Sequence, residues 1–231
     1  FCGNKQVAPP YAIVEPRRPD IAISGTITLC GNAADLNWEQ NMRLFAAISL
    51  PEASHAALHT LVHKLQPKSG GVTWVKPDNM HLTLRFYGEV SEEQLPALSC
   101  CLEKRLAPFK PPELLVRGVG AFPSIKKPSV VWAGIETVSG DLCGIQGATE
   151  QAAREIGLAP ETRAFHPHVT IARLRKMATA SVFASLLQPY QEPGGIPEFG
   201  PEFCAGKILL FRSLLTPRGP VYTIVREITL T

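Results

Sequence analysis

The sequence predicts an α+β fold, with antiparallel strands and helices in two similar lobes. Three observations carry that prediction. Short segments of alternating polarity recur between amphipathic helices. Strands come in pairs between helices, which favours antiparallel pairing over βαβ units. The order of helix, short strands and a strand opening on His-x-Thr occurs twice.

Residues 1–41 stand apart. Pro9, Pro10, Pro16 and Pro19 punctuate them, they show no helical period, and the alternating "IAISGTITL" has no hairpin partner nearby. They are expected to be a poorly ordered extension, with the folded domain spanning 42–231. From Met42 onward, "MRLFAAISLPEAS" predicts a strand at 43–49 and a helix at 53–66. Short strands are expected at 72–75 and 81–87. "SEEQ" at 91–94 fits a capping box, in which two side chains reciprocally satisfy free backbone N–H groups. The helix it opens sets Leu95, Leu98 and Leu102 on one face. Strands are expected at 113–119 and 129–136. A helix at 140–156 buries Leu142, Ile145, Ala152 and Ile156 and ends at Gly157. The strand "HVTIARL" follows, then a short helix near 178–188 and a Pro/Gly-rich loop. Two last strands, "KILLFRS" and "VYTIVREI", flank the turn "TPRG", consistent with a hairpin or a longer excursion.

Composition narrows the class. The chain has 231 residues, 45% hydrophobic and 19% charged, an ordinary globular balance. A net charge of +3 suits an anionic ligand without establishing nucleic-acid binding. No apolar run is long enough to span a bilayer, so no membrane partner is expected. Residues 17–31 fail as a signal peptide because Asp20, Ser24, Thr26 and Thr28 interrupt the apolar stretch. The six cysteines form no CxxC pair and are too sparse for a disulfide scaffold. They read as reduced thiols in a cytoplasmic, monomeric protein.

The chemistry concentrates in two strands. In "HLTLRF", alternation places His81, Thr83 and Arg85 on one face and Leu82, Leu84 and Phe86 on the other. In "HVTIAR", His168 and Thr170 share a face and Val169 and Ile171 point away. Spacing alone does not separate this pattern from two half-buried strands whose polar faces match by chance. Function gives it a reason. Two imidazoles facing each other across a cleft form an acid/base pair near neutral pH. A threonine beside each can donate to an anionic oxygen. A phosphodiester suits that set, and the chemistry requires neither metal nor cofactor.

These two strands, with "MRLFAAISLP", "GVGAFPS", "VVWAGIE" and "LLFRSLLTPRGPVY", resemble the 2H phosphoesterase superfamily. Within it, the similarity is to the bacterial and archaeal RNA 2′,3′-cyclic phosphodiesterases, also called 2′-5′ RNA ligases, over about residues 42–228. The resemblance implies a bilobal 2H phosphoesterase-like fold, two similar lobes around a central cleft, with one His-x-Thr motif from each lobe. It implies hydrolysis of a terminal 2′,3′-cyclic phosphate on RNA to a 2′-phosphate, with RNA ends or cyclic nucleotides as substrate. It maps the acid/base pair onto His81 and His168 and phosphate contacts onto Thr83, Thr170 and Arg173. His81 is then expected to protonate the departing O3′ and His168 to activate water. Alternatives are joining of tRNA halves, a small cyclic-nucleotide phosphodiesterase, and a non-catalytic module that binds RNA ends.

Two details resist. Arg173 lies five residues past His168, so strict alternation turns it from the cleft unless the strand ends, twists or bulges. His166 stands where the family often has arginine, and Arg163 either compensates or faces solvent. Other signals have plainer readings. His55, His59 and His63 recur every four residues along a helix, but no HExxH follows, and a solvated face is expected. Phe45, Phe122, Trp132 and Phe165 could stack on a base, but core packing is the expected role of each. Lys126 and Lys127 are expected to be solvated.

Overall fold

The computed structural model describes residues 41–66, 72–174, 183–190, 196–217 and 219–231. The expected extension lies outside the described residues except for Asn41, which opens β1 (Asn41–Ser49). Next come α1 (Glu52–Leu65), β2 (Val72–Trp74) and β3 (His81–Ser91). After α2 (Gln94–Leu106) run β4 (Glu113–Ser124) and β5 (Lys127–Ser139). Then follow α3 (Leu142–Glu155), β6 (His168–Leu174) and the short β7 (Phe203–Cys204). The chain closes with β8 (Lys207–Thr216) and β9 (Gly219–Thr229). Residues 183–187 are helical, while 178–182 of the short helix expected there lie outside the described residues.

Local chemistry sets several boundaries. Ser91 and Gln94 exchange the reciprocal bonds of a capping box, each at 3.3 Å, although β3 continues through Ser91 and α2 begins three residues later than expected. Asp141 caps α3 by accepting from the Gly144 N–H at 2.8 Å. Gly157 follows α3 with φ of 81°, the left-handed conformation that ends a helix cheaply only at glycine. The last two strands form a hairpin, with Thr216 paired to Gly219.

All strands pair antiparallel in one sheet, in the order β7-β4-β5-β6-β3-β1-β8-β9, with β2 on β6. The halves of the sheet meet where β3 pairs with β6. One contiguous core covers one face, built from Leu82, Val169 and Ile171 of the sheet and from Leu98, Leu102, Leu142 and Ile145 of α2 and α3. Apolar burial of this extent supplies most of the folding drive. Cys100, Cys101 and Cys204 are free thiols, but Cys143 is disulfide-bonded, which departs from the expected reduced state.

Alternation in β3 fails past Thr83. Against β1, Ala47 pairs with Thr83 and Ala46 with Arg85, which leaves Leu84 bulged; Tyr87 is skipped in the same way. Each bulge adds one residue and reverses the faces of those beyond it. Arg85, expected beside Thr83, is therefore turned inward at 7% exposure, and Phe86, expected in the core, is 39% exposed. The buried guanidinium is matched: its Nε lies 2.7 Å from Glu150 Oε2, and its terminal nitrogens donate to the Phe86 and Ala159 carbonyls. A charge in that position is tolerated only with such partners.

Candidate active site

Leu82 and Val169 stand opposite each other across β3 and β6, both fully buried. Their neighbours along each strand must point to the other face of the sheet. His81, Thr83, His168 and Thr170 therefore share one surface, with Thr83 across from His168 and Thr170 across from His81. Two short motifs distant in the chain become one four-residue cluster through a single strand pairing.

Each imidazole is tethered the same way. His168 Nδ1 lies 2.6 Å from the His166 carbonyl oxygen, and the His81 ring donates to the Asn79 backbone. A ring nitrogen that donates to a carbonyl fixes the tautomer and leaves the other nitrogen to the cleft. Asn79 is itself held, because its side-chain amide donates to the Pro220 carbonyl at 3.1 Å. The β8–β9 hairpin thus braces the turn that orients His81.

The surroundings of the two rings differ. His81 stacks on Phe45 at 4.8 Å and meets the edge of Tyr222 at 5.4 Å. His168 lies against Phe122 at 5.1 Å and Trp132 at 6.2 Å. Gly120 makes room for the Trp132 ring, since a Cβ there would collide with it. Burial pushes His81 from 6.5 down to about 4; its bond to Asn79 opposes this and the charge of His168 adds to it. Burial also lowers His168, opposed by the His166 carbonyl and reinforced by the charges of His166 and Arg173. Both rings are neutral at pH 7 before substrate binds.

Arg173 reaches the cleft by the route alternation would forbid. Trp132 pairs with Thr170 and Val131 with Ala172, so Ile171 is bulged and both Ile171 and Ala172 are buried. The face reverses, and Arg173 lines the same two cavities as Thr83 and Thr170. The first cavity, about 270 Å³, holds His81, Asn79, Lys76 and Tyr222 in its wall. The second, about 550 Å³, holds His168, Phe122, Arg163 and Gln146. Thr83, Phe86, Thr170 and Arg173 belong to both and form the waist between them.

The family model described as LigT like Phosphoesterase matches residues 48–132, which hold His81 and Thr83, and 135–222, which hold His168 and Thr170. The chain belongs to the LigT-like phosphoesterase family. Among curated relatives it is similar to the RNA 2′,3′-cyclic phosphodiesterase of Aeropyrum pernix, 36% identical over 67% of this chain and 84% of that protein. The Thermus thermophilus protein of the same name is 36% identical over 82% of this chain and 90% of its own length. Among solved structures, TT0787 of Thermus thermophilus superposes with a TM-score of 0.68 at 30% identity, covering 81% of this chain and 97% of that one. E. coli LigT complexed with 3′-AMP gives a TM-score of 0.64 at 25% identity, covering 83% and 99%.

In this LigT-like phosphoesterase the remaining candidates separate. His166 is exposed and contributes its carbonyl, and Arg163 is ion-paired to Glu161 on the wall of the second cavity. The His59 and His63 rings touch at 4.3 Å on the exposed side of α1, and no group of three potential metal ligands occurs among the described residues. Phe45 is buried at 3% exposure yet carries the stack on His81. Tyr222 carried no role in the sequence reading. It is on β9, remote from both motifs, and only the pairing of β8 between β1 and β9 delivers it.

Proposed function

We propose that this protein hydrolyses terminal 2′,3′-cyclic phosphates on RNA to 2′-phosphates, with His81 and His168 as acid and base. The observation that carries the reading is the Leu82–Val169 pairing, which sets both His-x-Thr motifs on one face over one cleft. The common name of the curated relatives, RNA 2′,3′-cyclic phosphodiesterase, supports the substrate class.

The cyclic phosphate sits at the waist between the cavities. Thr83 and Thr170 donate hydroxyl hydrogens to its non-bridging oxygens, and the Arg173 guanidinium offsets the charge that grows on them. Neutral His168 takes a proton from water as the water oxygen bonds to phosphorus. Protonated His81 gives its proton to O3′ as the P–O3′ bond breaks. One water is consumed, one 2′-phosphate monoester is formed, and the proton ends on His168. Exchange with solvent then returns the pair to its starting state. Because both rings are neutral before substrate binds, the proton on His81 arrives with the anionic substrate, whose charge favours the imidazolium.

The test is product mapping with a cyclic-phosphate-ended oligonucleotide and a 2′,3′-cyclic mononucleotide. A 2′-phosphate end from both, in the presence of EDTA, is expected. A 3′-phosphate end would reverse which oxygen leaves, and failure to consume either substrate would leave a binding module.

A further inference from the structure

Outward from the β3–β6 seam, β1 answers β5, β8 answers β4 and β9 answers β7. On one side Phe45 of β1 and Phe211 of β8 stack with His81 at 4.8 and 6.0 Å. On the other, Trp132 of β5 and Phe122 of β4 flank His168 at 6.2 and 5.1 Å. The outermost strands break the match, because β9 runs for 11 residues and β7 for 2. β9 sets a third ring, Tyr222, against His81 at 5.4 Å. Among the described residues no third ring meets His168.

What this third ring adds is a hydroxyl, and its place is fixed. Tyr222 pairs with Ser213 of β8, and its ring meets Phe45 at 5.0 Å. Two residues earlier, the Pro220 carbonyl accepts from the Asn79 amide at 3.1 Å. The side chain lines the first cavity together with Arg173 and Lys76. The hydroxyl of the buried Tyr87 donates to the Thr149 carbonyl at 3.5 Å, the usual outcome for an enclosed phenol. The half-buried Tyr222 hydroxyl has no hydrogen-bond partner among the described residues. Burial raises its pKa, opposed by the charges of Arg173 and Arg43, so it is protonated at neutral pH and able to donate. A ligand that fills the first cavity strips water from this donor and must offer an acceptor in return.

We propose that Tyr222 is a substrate-binding residue whose hydroxyl donates to the non-bridging phosphate oxygen facing the first cavity. This deepens the proposed function and rests on it. A phosphate at the waist then meets Thr83, Thr170 and Arg173 from the central strands and a fourth donor from the outermost one. Arg173 and Tyr222 line the same cavity, and the guanidinium charge is felt at the phenol, so both border one anion position. The fourth donor stands on the His81 side alone. The two non-bridging oxygens are therefore held unequally, and the site distinguishes them.

The experiment uses Tyr222→Phe, which keeps the ring on His81 and Phe45 and removes only the hydroxyl. Three substrates are compared: uridine 2′,3′-cyclic phosphate and the two diastereomers of its phosphorothioate, in which sulfur, a poor acceptor, replaces one or the other non-bridging oxygen. In Tyr222→Phe, kcat/KM should fall roughly 10-fold or more on the oxygen substrate and on one diastereomer, and little on the other, whose sulfur faces Tyr222. An equal loss on all three would assign Tyr222 a structural role and overturn the proposal, as would no loss on any. Calorimetric binding of uridine 2′-phosphate reads the same contact without turnover. If the wild type consumes none of the three substrates, the hydrolase reading falls and this binding decides the contact. Weaker binding by Tyr222→Phe would keep the contact, and equal binding would end it.

Discussion

Leu82 and Val169 face each other across the central strand pair, and every candidate catalytic group lies one residue from one of them. That geometry makes the histidines interdependent. His81→Ala and His168→Ala should each lower kcat by roughly 10²–10⁴, the usual worth of one proton transfer. The double variant should lose little more than the worse single one, because one reaction uses both groups. Single-turnover hydrolysis of a cyclic-phosphate-ended oligonucleotide measures this; additive losses would contradict a shared step.

The pH profile follows from burial. With both imidazoles held below their ordinary value, the singly protonated pair is abundant only in mildly acidic solution. kcat/KM, which reports the free enzyme, should be bell-shaped and should decline above about pH 6.5. Bound phosphate raises the histidines, so the basic limb of kcat should lie at higher pH than that of kcat/KM. Coincident limbs would show that substrate binding does not supply the proton.

Acid stability carries the same signature. His81 titrates near 6.5 when unfolded and at about 4 when folded, so between those values the unfolded chain holds more protons. Stability is intact above about pH 6.5 and falls as pH drops toward 4, by about 3 kcal/mol for this group alone. Urea denaturation of His81→Gln should show a shallower decline over that window than wild type.

Arg173→Ala should reduce kcat/KM by roughly 10- to 100-fold, the worth of a charge-assisted contact to phosphate. Arg173→Lys should recover only part, since an ammonium lacks the planar fork. Steady-state kinetics on the cyclic mononucleotide reads both, and full activity in Arg173→Ala would remove this residue from the phosphate site.

Arg85→Ala should destabilise the fold by about 3 kcal/mol, because it leaves the Glu150 carboxylate without its buried partner. It should also loosen the bulge that presents Phe86, whose carbonyl Arg85 holds. Paired replacement of Arg85 and Glu150 by Met should cost less than Arg85→Ala. Urea unfolding midpoints distinguish the two.

Helices, strand pairs and the two His-x-Thr strands were legible in the sequence because each is a local pattern. Hydrophobic period, the capping box at Ser91 and the glycine after α3 depend on residues within one turn of each other. The exchange of faces past Thr83 was not legible. A bulge is decided by which partner strand pairs where, and the sequence of β3 alone reads as unbroken alternation. So Arg85 was expected on the face of Thr83, in the cleft or toward solvent, and Phe86 in the core, whereas β1 buries Arg85 and exposes Phe86. The same device on β6 brings Arg173 to the waist between the two cavities.

The chain by itself determined the candidates for the chemistry: two imidazoles and two hydroxyls at matching offsets in two strands. Tertiary structure alone decided that they meet, through one buried Leu82–Val169 pair, and that Phe45, Tyr222 and the Asn79 turn enclose and orient His81. The reason is physical. Side-chain identity and strand parity are properties of a few consecutive residues, but the solvation of an imidazole, and hence its charge, depends on everything packed around it.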